Sequence, residues 1–278
     1  MAVEFRGCKR LVYAEIIKDN NNSGSGEGYV TGEVKELAPV AEISKSVETS
    51  SEAHYYDNQA AIIIDSEGAD TVSFTIAIPS DEVLADITGR TYDSTKKMFI
   101  ESERTQKYFA VGYILGEKGE GEDERYVWRY KGTFNIPDET STTMDDGTGA
   151  NNMSLEYKGI YTEHAFANGK GTGVKATAKA AFIRESANVA TADHWFSQVS
   201  TPDTTFPSYT LSITQDTGTT VSVTRNGVSI SNGAAIFGGD VLTIAVTGGT
   251  VKVNNTTFTS GNTHTVSGDV AVVSTHTT

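Results

Sequence analysis

The chain is poor in residues that lock or break a fold covalently. Among 278 residues there is one cysteine, Cys8, and there are five prolines. A single cysteine excludes any intramolecular disulfide, so stability has to come from packing. Cations are scarce as well: 22 Lys and Arg face 36 Asp and Glu, a formal net charge of −14. Gripping a nucleic-acid backbone requires a basic footprint, and this chain has the opposite balance. No run approaches the roughly 20 apolar residues of a membrane helix. Residues 1–7 lack the apolar stretch of a signal peptide. The expectation is a protein made and kept in a reducing cytoplasm, with no membrane partner.

Charge itself runs out along the chain. Glutamate is absent after Glu185, and after Pro207 only Asp216, Arg225, Asp240, Lys252 and Asp269 are charged. Of the 72 residues from 207 to 278, 39 are Thr, Ser, Gly or Asn. Such a break predicts two separately folded units: a front domain over 1–200, a linker over 201–207 stiffened by Pro202 and Pro207, and a small domain over 208–278.

What is there reads as strand. Thr71 to Ile78 alternates polar and apolar, the period-2 mark of a half-buried strand. Further strands are expected at 11–17, 35–44, 60–64, 97–101, 107–115, 125–136, 154–161 and 173–183. One short helix is signalled after Pro79: Ser80 is the N-cap, Asp81 and Glu82 complement the helix dipole, and Gly89 is the stop. A second is expected over 191–199, around Trp195 and Phe196. Three stretches, 19–28, 45–58 and 137–152, carry too little apolar pattern to order alone and read as polar arms. After Pro207, short alternating runs are separated by Asn226-Gly227, Asn232-Gly233, Gly238-Gly239, Gly248-Gly249 and Gly268-Asp269. Asn-Gly favours tight hairpin turns, so the tail reads as a small immunoglobulin-like sandwich.

Chemistry-bearing constellations are missing. His54, His164, His194, His264 and His276 show no metal-ligand spacing. Asp145-Asp146-Gly147 lacks the rest of a calcium loop. In Asn168–Gly173 the lysine precedes a glycine and a strand follows, which is a turn and not a phosphate loop. Glu101 and Glu103 form a possible acid pair, or simply a solvated strand edge. Tyr126, Trp128 and Tyr130 share one strand face, either a carbohydrate platform or a core or subunit-contact face. No enzyme activity, cofactor or metal is expected.

Several segments together resemble the major tail proteins, or tail tube proteins, of long, flexible-tailed bacteriophages of Gram-positive bacteria. They include Leu37-Ala38-Pro39-Val40-Ala41-Glu42-Ile43-Ser44, Glu48 to Asn58, Leu84-Ala85-Asp86-Ile87-Thr88-Gly89, Tyr108 to Tyr113, and Lys131 to Thr140. The match spans most of residues 1–200, and the tail module is similar to a common decoration of phage tail proteins. The resemblance implies a mainly β tail-tube sandwich or barrel with a flanking helix, assembled as stacked hexameric rings. It implies a virion location and an acidic lumen through which DNA passes without specific binding. The implied partners are further copies of the chain, the tape measure, the tail tip and the tail terminator. Candidate inter-subunit contacts are Tyr55, Tyr56, Ile63, Phe74, Pro137 and Asp138. The rival reading is a cell-surface or carbohydrate-binding β-sandwich module.

Overall fold

The computed structural model describes residues 7–21, 28–56, 59–116, 123–138, 152–167, 170, 173–187, 189–206, 208–225 and 227–277, with backbone only at 55–56, 59–62, 186 and 228. It forms two compact units, Met1–Ala187 with Ala192–Thr204, and Asn188–Thr191 with Thr205–Thr278. The fold is mainly β.

The first unit is built on strands β1 (Cys8–Asp19), β2 (Tyr29–Thr31), β3 (Val40–Tyr56), β4 (Gln59–Ala77), β5 (Phe109–Leu115), β6 (Arg125–Phe134), β7 (Asn152–Gly159) and β8 (Ala180–Arg184). Hydrogen bonding runs β2-β1-β5-β6-β7-β4-β3, and β8 branches from β6. Every one of these pairs is antiparallel.

A short strap closes this sheet on itself. Glu36 and Lys35 pair with Val12 and Tyr13 of β1, and Val40 pairs with Ile76 of β4. Between them Leu37 N donates to Leu11 O, and Ala77 N donates to Pro39 O, both at 2.9 Å. Pro39 has no N–H to offer and serves only as an acceptor. Residues 35–40 therefore link β1, next to one end of the strand order, with β3 and β4 at the other, and the sheet rolls into a barrel closed at one end.

Alternation fills the barrel. Val72, Phe74 and Ile76 are fully buried, whereas Thr71, Ser73 and Thr75 are half-exposed. They meet Leu11, Tyr13, Val111 and Leu155 in one core. On the other face of β6, Tyr126, Trp128 and Tyr130 are buried beneath a short helix at Ala192–Phe196. Trp128 Nε1 donates to the Trp195 carbonyl at 2.9 Å, and the Tyr130 hydroxyl donates to the Ser200 carbonyl at 3.1 Å. Burying a large apolar side chain stabilises by about 1.5–3 kcal/mol, so this aromatic layer is a major part of the unit's stability.

Helix α1 (Asp81–Thr88) begins and ends where its capping residues predict. Val83 N donates to Ser80 Oγ at 3.4 Å, and Gly89 takes φ 70°. Only glycine fits there, because a Cβ would collide with the Thr105 carbonyl. Other expectations shift. The strand at 173–183 is broken into Lys175–Thr177 and Ala180–Arg184, and the second helix is five residues long. The polar arm at 45–58 is mostly strand, since residues 45–56 continue β3. Segments 22–27 and 139–151, within the other two expected arms, lie outside the described residues.

The second unit is a sandwich of two sheets. One is ordered Ala235–Phe237, Ser208–Thr214, Val270–His276, Gly249–Val253, Thr256–Phe258; the other Val228–Ile230, Thr220–Arg225, Val241–Thr247, Thr263–Thr265. Leu211, Val251 and Val272 from the first sheet and Val223, Leu242 and Ile244 from the second share one core. The first and last strands pair in parallel, Leu211 opposite Val270. Positive φ at Gly227, Gly233, Gly239 and Gly248 marks the expected turns, while Asn254 and Asn255 form one that sequence reasoning missed.

Candidate functional site

The most unusual element is the β3–β4 hairpin. Strand β7 accompanies β4 only from Ala77 to Asp70, but β3 and β4 stay paired out to Tyr56 opposite Gln59. Beyond Asp70, strand pairing among the described residues is confined to β3 with β4, and the ribbon extends about 30 Å at strand rise. At its root one residue, Glu48, stands opposite two, Gly68 and Ala69, because Val47 pairs with Asp70 and Thr49 with Glu67. Such a bulge bends and twists a ribbon locally. The whole outer edge of β3 is the end of the sheet.

Apolar side chains stand exposed on this arm. Ile63 is 64 % and Ile64 55 % exposed. Neighbours on a strand point to opposite faces, so Ile63 and Ile64 stand on opposite faces of the ribbon. A two-stranded hairpin alone is marginally stable in water, and an open edge strand is a ready template for another strand.

A cluster of buried charge pins the root. Asp70, nearly inaccessible, receives Arg129 Nη1 at 2.9 Å, Lys45 Nζ at 3.0 Å and Lys179 Nζ at 3.1 Å. Lys179 Nζ also reaches Glu67 at 2.6 Å and donates to the Gly68 carbonyl, tying both sides of the bulge to the barrel. Arg129 Nε donates to the Tyr113 hydroxyl at 3.1 Å. Burial pushes the Asp70 pKa up, but hydrogen bonds from Lys45, Lys179 and Arg129 outweigh it and hold the carboxyl below its ordinary value. The site sits at a fork: β6 pairs with β8 along 125–129 and with β7 along 132–134. At the changeover, a Cβ on Gly132 would strike Lys158 O and the Tyr157 ring, so glycine lets β7 approach closely there.

These ions come from four separate segments, and no local motif marks them. The available signal was Arg129 inside Tyr126-Val127-Trp128-Arg129-Tyr130, a charge in an otherwise apolar strand that demands a partner.

Of the expected contact residues, Ile63 lies on the arm. Tyr55 and Tyr56 end β3, opposite Ala60 and Gln59, with side chains outside the described set. Phe74 is a correction: it is fully buried, edge-on to Tyr113 at 5.9 Å between ring centroids, and offers no surface to a neighbour. Period-2 alternation sends it into the chain's own core. Pro137 lines a groove of about 360 Å³ beside α1 with Ile78, Leu84 and Phe99, and Asp138 is exposed next to it.

The chemical candidates disperse. Glu101 is ion-paired with Arg90. Burial and then Glu42 raise the Cys8 thiol, the reverse of what a reactive thiolate needs. Among the described residues no three His, Cys, Asp or Glu side chains converge to hold a metal. Because Tyr126, Trp128 and Tyr130 are buried, that strand presents no aromatic platform. No family model matches the chain, and no curated protein matches it.

Proposed function

We propose that this chain is the structural subunit of a hollow tube, a tail-tube protein whose hexameric rings stack into a DNA conduit of a long-tailed phage. The observation that supports it is the β3–β4 arm: an edge hairpin with two exposed isoleucines and no strand partner beyond Asp70 within the described chain. Joining edge to edge, head to tail, satisfies its open backbone groups and leaves each added copy with a free edge, which propagates an open assembly. Six copies in a ring line the bore with an acidic protein, each −14. Repulsion of phosphate reaches about 8 Å at physiological salt, enough to keep DNA from adhering to the wall. The resemblance in residues 1–200 supplies the ring number, the virion location and the tail partners. The role is structural, without catalysis or cofactor.

Negative-stain imaging and sedimentation of concentrated protein, with and without a tail-tip complex as initiator, test the reading. Rings and hollow cylinders are expected. Replacing residues 51–65 with Asn-Gly, so that Ser50 and Ser66 are joined by a tight turn, abolishes them while the barrel stays folded. Assembly that survives loss of the arm refutes the mechanism.

A further inference from the structure

The fork that roots the arm also opens a cavity of about 550 Å³. Its walls hold four cations, Lys45, Arg125, Arg129 and Lys179, against two carboxylates, Glu67 and Asp70. A cation surplus is notable in a chain of net charge −14. Lys179 spends its three N–H groups on Asp70, Glu67 and the Gly68 carbonyl, so the spare donor capacity lies with Lys45, whose ammonium has three N–H groups and reaches Asp70 with one. The Lys45 side chain is 44 % exposed, so its head lies at the open side. Phe182 and Tyr161, also lining the cavity, are 57 % and 46 % exposed and give it an apolar rim.

The arm carries the complement. Glu52 pairs with Ile64 across the ribbon, and Asp65 follows Ile63 by two residues. Ile64 and the exposed Glu52 therefore share one face, and Ile63 and the exposed Asp65 share the other. We propose that the fork cavity receives the arm of a second copy of this chain, taking its Glu52 or Asp65 carboxylate on the cations and its isoleucine on the Phe182–Tyr161 rim. This rests on the self-assembly reading and names the partner surface for it. Copies at −14 repel one another, so contact between them needs a place where opposite charges meet. Arm and cavity are different patches of one chain, which is the condition for a head-to-tail contact that does not close.

Charge reversal tests the pairing. The Glu52→Lys, Asp65→Lys double variant and the Lys45→Glu variant are each expected to associate about tenfold more weakly in sedimentation velocity. All three changes in one chain restore assembly. Lys45→Gln, which adds no charge beside Asp70, guards against misfolding and gives a smaller loss. Glutarate titrated into dilute wild-type protein, followed by NMR at the Ala178 and Ala180 amides, is expected to saturate, and to bind more weakly to Lys45→Gln. Reversal variants that assemble like wild type, or glutarate shifts that never saturate, overturn the proposal and leave tube formation standing. A wild type that binds glutarate but never assembles overturns the tube reading and the second copy as ligand, leaving an oxyanion site.

Discussion

Replacing Asp70 with Asn keeps shape and volume but removes the one charge on which Arg129, Lys45 and Lys179 converge. The Asp70 and Arg129 side chains are 3 % and 6 % exposed, so Arg129 loses its counter-ion inside the protein, whereas Lys179 keeps Glu67 at 2.6 Å. Removing one partner from a buried ion pair costs about 3–5 kcal/mol. Lys45, half in water, adds little to that. For a unit of this size the loss amounts to about 6–20 °C in Tm. The assay is specific to the first unit, because both tryptophans, Trp128 and Trp195, are buried there. Urea unfolding followed by tryptophan fluorescence thus reports the barrel alone. The sign with pH is fixed. A carboxylate whose folded pKa is depressed contributes stability that is present above its unfolded value, about 3.9, and lost as pH falls through the folded one. The gap between wild type and Asp70→Asn is therefore widest near pH 7 and shrinks below about pH 4. A midpoint shift at pH 7 worth less than about 0.5 kcal/mol, or a gap that ignores pH, would refute the account.

Two further outcomes follow. Gly248→Ala places a Cβ against the Gly218 carbonyl at φ 80° and should destabilise the second unit by at least about 1–2 kcal/mol, read by far-UV circular dichroism, while the tryptophan transition stays put. Deleting residues 205–278 should leave ring and tube formation intact in micrographs; loss of tubes would assign the second unit a share of the assembly contacts.

Local rules predicted much of this architecture. Ser80 and Gly89 bracket the helix because capping is a contest among adjacent backbone groups. Val72, Phe74 and Ile76 announced their buried face by alternation. The arm was misread for the same reason: Lys45-Ser46-Val47-Glu48-Thr49-Ser50 has no apolar face, and these residues stand largely exposed on the ribbon. Pattern detects burial, and an unburied strand leaves none. Phe74 shows the converse, a residue marked as apolar whose partner, another chain or its own core, alternation does not specify. The Asp70 cluster was illegible because its members are distant in sequence, Asp70 and Lys179 by 109 residues, and meet only through the fork. Asn254-Asn255 carries no glycine to announce its turn, although asparagine also tolerates positive φ.

The strap at 35–40 has a mechanical consequence. It runs directly into β3, so tension applied at the tip of the hairpin travels along one continuous strand to the seam of the barrel. There the load falls on hydrogen bonds lying across the direction of pull, Val40 to Ile76 and Glu36 to Val12, which must shear together and not unzip in turn. Whatever seizes the ribbon thereby pulls on the hoop that holds the barrel shut.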